Sequence, residues 1–132
     1  MSQTFVVDTS KSKYAKLKPV PLNSVKLTDS FWANRIKLMR EVTLPLQYQI
    51  MEETGRLDNF RIAAGKIAGE FSGFFFNDTD VYKWIEAASY FLATNKDEKL
   101  DQLVDKVIEE IRDAQDPDGY LDTYFTFSRK QD

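Results

Sequence analysis

Phe71, Phe74, Phe75 and Phe76 run directly into Asn77, Asp78, Thr79 and Asp80, with Tyr82 following within a helical turn. Aromatic faces beside carboxylates and amides suit a neutral polyol. Ring C–H groups stack on the aromatics, while Asp and Asn share the directional hydrogen bonds of hydroxyl groups. Phe76, Asp78, Asp80 and Tyr82 are therefore candidate contacts for such a ligand. The same residues admit a structural reading, in which the phenylalanines fill the core and Asp78 or Thr79 caps a helix. Asp78 and Asp80 are not expected to act as an acid–base pair. Carboxylates two residues apart on a helix-opening turn do not face one bond, whereas a hydrolytic pair must straddle it at roughly 5–9 Å.

A second segment, Gln115-Asp116-Pro117-Asp118-Gly119-Tyr120, is a turn signal, with Pro presetting φ and Gly ready for φ > 0. It resembles an Asp-x-Asp-Gly calcium loop only in part, because the closing Glu of that motif is missing. Beyond it, Tyr120, Tyr124, Phe125 and Phe127 mix with Asp122 and Thr123. This return segment either lines a cleft or packs against a further helix.

The chain of 132 residues contains no cysteine and no histidine. The usual proton shuttle and most transition-metal ligands are absent, so its chemistry rests on carboxylates, hydroxyls, amides, Lys, Arg and aromatic rings. A net charge of −3 argues against nucleic acid, whose binding draws on clustered Lys and Arg. Lys11, Lys13, Lys16 and Lys18 read as a solvated arm. No apolar run approaches the ~20 residues of a membrane span, and no signal-peptide core follows the N-terminus, so a cytoplasmic location is expected.

Residues 1–27 contain Pro19 and Pro21 and lack helical period, which predicts an extended N-terminal arm. Thr28, Asp29 and Ser30 offer caps for a helix opening at Phe31. Met39, Val42, Leu46 and Ile50 continue an apolar stripe at helical spacing, with a kink or break expected just before Pro45 and a stop at Gly55. A loose helix is expected from Phe60 to Ala68, weakened by Gly65, and a loop from Gly69 to Thr79. The helix from Asp80 to Thr94 is apolar on nearly every side and is predicted to be buried on nearly every side. Asp97 is the expected N-cap of the next helix. There Leu100, Leu103, Val104, Val107, Ile108 and Ile111 face in, while Asp101, Asp105, Lys106, Glu109 and Glu110 face out. An inner helix, short turn, outer helix and return loop form the unit of helical toroids, which needs neighbours to bury it. Four such segments are too few to close a ring, so the chain reads as an open arc, with self-association through apolar helix faces as one way to cover them.

Three segments resemble one family: Pro21-Leu22 through Val25-Lys26-Leu27-Thr28-Asp29-Ser30-Phe31-Trp32, then Phe76 through Glu86, then Gln115 through Phe125. In that order they are similar to the N-terminal part of the family 127 glycoside hydrolases, the DUF1680 group that includes β-L-arabinofuranosidases. The resemblance implies an all-α fold, part of an (α/α)6 barrel spanning 28–132 behind the arm of 1–27. It implies a carbohydrate partner like an L-arabinofuranoside, and hydrolysis of its glycosidic bond. It also implies a cysteine nucleophile at a zinc site of further cysteines and a glutamate, all beyond the matched segments. No catalytic or metal-binding residue is therefore assigned to this chain, which is not expected to turn over substrate by itself. Phe76 and Asp78 resemble the aromatic and the acid at the family's sugar site, with Asp80 and Tyr82 beside them. The other readings are a non-catalytic helical interaction module, and part of a different toroidal enzyme such as an epimerase or an unsaturated uronyl hydrolase.

Overall fold

A computed structural model describes residues 5–129, so the first and last few residues of the two expected segments, 1–27 and 28–132, lie outside it. The described part of the arm is largely exposed and irregular apart from a 3-10 turn at Leu22–Ser24. Helix α1 spans Ser30–Leu38, capped as the sequence suggests: the Asp29 carboxylate accepts from Trp32 N–H at 2.9 Å.

The break expected before Pro45 takes the form of a π turn at Met39–Thr43, followed without interruption by α2, Leu44–Glu53. The Leu44 N–H reaches back to Met39 O, one residue further than an α-helix allows. This wider turn sits one residue ahead of a proline that has no N–H to give and whose ring crowds the preceding turn. Gly55, at φ 74°, ends the run.

Helix α3, Arg56–Ala63, begins earlier than expected and stops short of Ala68. Gly65 explains the stop. At φ 72° it closes a Schellman motif, with Lys66 N–H on Arg61 O and Gly65 N–H on Ile62 O. A glycine read as a weak point inside the helix is thus its terminator.

Helix α4 spans Asp78–Thr94 and α5 spans Glu98–Ala114, with Asp97 accepting from Leu100 N–H at 3.2 Å as the expected cap. The short helix α6, Thr123–Arg129, follows the return loop. Among the described residues every regular element is helical. Helix α5 packs on α3 and α4, α2 on α4, and α6 on α3. Their shared core holds Leu57, Phe60, Val81, Ala88 and Val107, all essentially without solvent contact. Fully burying a large aliphatic or aromatic side chain contributes about 1.5–3 kcal/mol. The Trp84 indole N–H is satisfied by Leu44 O at 3.0 Å, which ties α4 to the start of α2.

Two expectations about burial are corrected. Helix α4 is not buried on nearly every side: Val81, Trp84, Ala88 and Phe91 are inside, while Asp80, Lys83, Glu86 and Tyr90 are exposed. On α5, Glu110 is buried and Ile108 is exposed. Glu110 lies one turn from Val107 on the inner face, where Arg61 receives it at 3.0 Å. A charged side chain is tolerated inside when its partner comes with it.

Candidate functional site

The loop between α3 and α4 is fixed by one buried amide. Asn59 Nδ2 donates to Ser72 O at 3.0 Å, and Asn59 Oδ1 accepts from Ser72 N–H at 2.9 Å. Asn77 Nδ2 donates to the same Ser72 carbonyl at 3.2 Å. Gly73 turns the chain at φ 96°, and a Cβ there would overlap Asn77 Nδ2. Beyond this clamp the chain thrusts three rings into solvent. Phe74, Phe75 and Phe76 are 66%, 59% and 50% exposed, so they do not fill the core. Phe74 and Phe76 lie parallel with centroids 5.4 Å apart, and Phe75 meets Phe76 edge-on at 5.1 Å. The patch continues through Tyr124, 6.3 Å from Phe75 and 5.2 Å from Phe71, to Phe125 at 5.1 Å from Tyr124.

Two residues on from Phe76 comes Asp78, only 6% exposed. It does not cap its own helix. Its Oδ2 accepts from Thr123 N–H at 2.8 Å and its Oδ1 from the Thr123 hydroxyl at 2.6 Å. The carboxylate thereby caps α6 across the fold, beside Asp122, which accepts from Phe125 N–H at 3.0 Å. Burial raises the Asp78 pKa above its ordinary value, and the hydrogen bonds from Thr123 oppose that rise. Tyr82 lies one turn along α4, edge-on to Phe60 with centroids 5.9 Å apart. Burial first, then the charges of Asp78 and Asp122, push its phenol well above the usual tyrosine range, so it stays protonated and able to donate.

Asp80 is directed elsewhere. It pairs with Arg56 at 3.4 Å and borders an open groove of about 400 Å³ shared with Met51, Thr54, Lys83 and Trp84. The structure thus ties Asp78 to the first residue of α6, packs Tyr82 one turn along α4 against Phe60, sets Phe76 in the exposed ring cluster, and leaves Asp80 on a separate groove. The return loop forms the expected turn, with Gly119 at φ 91°, Gln115 Nε2 donating to Gly119 O and Asp118 accepting from Tyr120 N–H.

Sequence reasoning missed Asn59 and, at Thr123, the tie to Asp78. A polar residue flanked by Leu57 and Phe60 was the available signal for the first. For Thr123 there was none, because its partner lies 45 residues away. The donor set does not fit a zinc site: cysteine and histidine are absent, and among the described residues no three acidic side chains lie close enough to share an ion. Also among them, no helix is long and apolar enough to cross a membrane.

Residues 24–132 match the family model of the β-L-arabinofuranosidase, GH127 catalytic domain. A curated relative, the non-reducing end β-L-arabinofuranosidase of Bifidobacterium longum subsp. longum, is 34% identical over 119 residues, covering 76% of this chain and 18% of that protein. The solved structure of a GH127 β-L-arabinofuranosidase from Geobacillus stearothermophilus T6 aligns with a TM-score of 0.77 at 43% identity, over 80% of this chain and 18% of the other. A second solved GH127 β-arabinofuranosidase aligns at 0.76 and 51% identity, over 83% and 17%. The chain thus spans less than a fifth of the length of these relatives. The expected all-α fold, part of an (α/α)6 barrel, agrees with these neighbours, and the chain matches their N-terminal portion.

Proposed function

The chain belongs to the family of the GH127 β-L-arabinofuranosidase catalytic domain, and from that premise we propose that it forms one wall of a pocket for a terminal L-arabinofuranose. The whole domain would hydrolyse the glycosidic bond of that sugar. This chain's part is binding, and none of its residues is assigned to bond breaking.

The observation that carries this reading is the exposed ring cluster of Phe74, Phe75 and Phe76, held in place by a buried amide clamp and followed two residues on by the acceptor Asp78. Exposed aromatic faces of this kind otherwise cost solubility, and a sugar's C–H face is a ligand that matches them. In this reading Phe76 stacks on the furanose ring. Each Asp78 oxygen, already accepting one bond from Thr123, retains a lone pair for a sugar hydroxyl. Tyr82, kept protonated by its surroundings, donates to a ring or hydroxyl oxygen. Asp80 meets a more distant part of the substrate, because it opens onto the neighbouring groove.

A titration with methyl β-L-arabinofuranoside, followed through the backbone amide resonances, tests the assignment. Shifts should cluster at residues 71–82 and 120–125. Shifts spread elsewhere, or none at saturating sugar, would remove the pocket wall from this loop.

A further inference from the structure

Asn59 is a poor residue for its own helix. Inside α3 an asparagine side chain competes with the backbone for hydrogen bonds, and this one is also fully buried, beside Phe60. A buried amide is tolerated when its donor and its acceptor are both met. Asn59 meets them outside α3, on the C=O and the N–H of a single residue, Ser72, which is itself exposed. This two-point contact resembles one rung of a strand pair, and burial of the amide keeps water from competing for it.

The three rings that follow are gripped from their other side as well. The Asn77 side chain adds its bond to the Ser72 carbonyl, and its backbone N–H donates to Phe74 O at 2.9 Å. Phe76 O accepts from the Thr79 N–H at 3.0 Å and from the Thr79 hydroxyl at 2.8 Å. Phe74, Phe75 and Phe76 are thus fixed through their backbone while at least half of each stands in solvent. Exposed side chains on a loose loop would lose their freedom on meeting a ligand, at the expense of affinity, whereas a loop ordered beforehand has little left to lose. Given the pocket wall proposed above, on which this rests, we infer that Asn59 is a positioning residue for sugar binding. It is buried away from any substrate and acts by presetting the backbone that presents Phe76.

The test is a double-mutant cycle on KM, made in the Bifidobacterium longum enzyme with residues 24–132 of this chain in place of its matching portion. Asn59→Leu keeps the approximate size of the side chain and removes both bonds to Ser72. It should raise KM by about two- to tenfold, the penalty of ordering roughly one side chain on binding, and change kcat by less than about twofold. In a Phe76→Ala background the same substitution should raise KM by less than about twofold, because the ring it positions is gone. In the full chain, Asn59→Leu should speed hydrogen exchange at the Ser72 and Asn77 amides and leave α5 unchanged. Asn77→Ser removes one bond to the Ser72 carbonyl and leaves the Asn59 pair. It should move KM the same way by a smaller factor, and it carries the cycle if Asn59→Leu does not fold. A purely structural role would lower kcat through the amount of folded enzyme and leave KM in place, and that result would overturn the proposal. So would an equal rise in KM with and without the Phe76 ring. Phe76→Ala with unchanged KM would instead remove the pocket wall, and the role of Asn59 with it.

Discussion

Removing the Asp78 carboxylate tests how the two aromatic segments are held together. In the structure this buried group accepts from both the N–H and the hydroxyl of Thr123. Hydrogen bonds to a charged acceptor are each worth about 1.5–3 kcal/mol. Opposing them is the cost of burying the charge, visible in the upward displacement of its pKa by desolvation. Asp78→Ala removes both effects and strands two donors, for a net loss of about 2–3 kcal/mol. Helix α6, only Thr123–Arg129, is too short to persist without tertiary support, so the loss should appear there first. Hydrogen exchange is the assay. Amides such as Thr126 N–H, bonded to Asp122 O, should exchange about 30- to 150-fold faster, the equivalent of that free energy at 1.36 kcal/mol per decade.

Asp78→Asn keeps the shape and one acceptor, and should lose about half as much. The pair also predicts a pH dependence. Because the folded pKa of Asp78 lies above 3.8, the native state takes up the proton before the unfolded chain does. Wild-type stability relative to Asp78→Asn should therefore rise as pH falls through the raised pKa, and level off below 3.8. Unchanged exchange of the α6 amides in Asp78→Ala, or a pH-independent gap between wild type and Asp78→Asn, would refute the reasoning.

Other perturbations separate the remaining parts of the fold. Arg61 binds Glu52 at 2.7 Å, Asp58 at 2.8 Å and Glu110 at 3.0 Å, so Arg61→Ala should cost about 3 kcal/mol by leaving buried Glu110 with only the longer pairing to Lys106 at 3.9 Å, measured by urea unfolding. Hydrogen bonds from Arg61 hold the Glu52 pKa below 4.5, so this part of the stability is present above pH 4.5 and lost as pH falls through the depressed value. Urea midpoints should show that acid loss in wild type and a smaller one in Arg61→Ala, where the Tyr48 hydrogen bond and Lys106 still favour the Glu52 carboxylate. Gly73→Ala combines a left-handed φ of 96° with a clash on Asn77, and should lower the thermal midpoint and loosen the Ser72 clamp. Phe76→Ala, at a half-exposed ring, should change stability by less than about 1 kcal/mol while abolishing the sugar-induced shifts.

What the sequence made legible followed from local rules. The Asp29 and Asp97 caps, the Gly55 stop and the Gly119 turn each depend on a few adjacent residues, and each stands where expected. Pro45 announced a disturbance, but not that a π turn would absorb it without ending the helix. Glu110 and Ile108 exchanged sides because periodicity cannot foresee Arg61, which arrives from another helix. In the loop, the exposure of Phe74–Phe76 follows from the Asn59–Ser72 clamp, and the tie from Asp78 to Thr123 joins residues far apart in sequence. The chemistry of the candidate site could be read from residue types. Its division between the α6 end and the groove at Asp80 required the packed helices.

The most direct measurement is made in a chimera, with residues 24–132 replacing the matching portion of the Bifidobacterium longum enzyme. If this chain forms a wall of the sugar pocket, the chimera hydrolyses an aryl β-L-arabinofuranoside, and Phe76→Ala within it raises KM by about two- to tenfold, the loss of roughly one stacking contact. A folded, active chimera in which Phe76→Ala leaves KM and kcat unchanged would contradict the assignment.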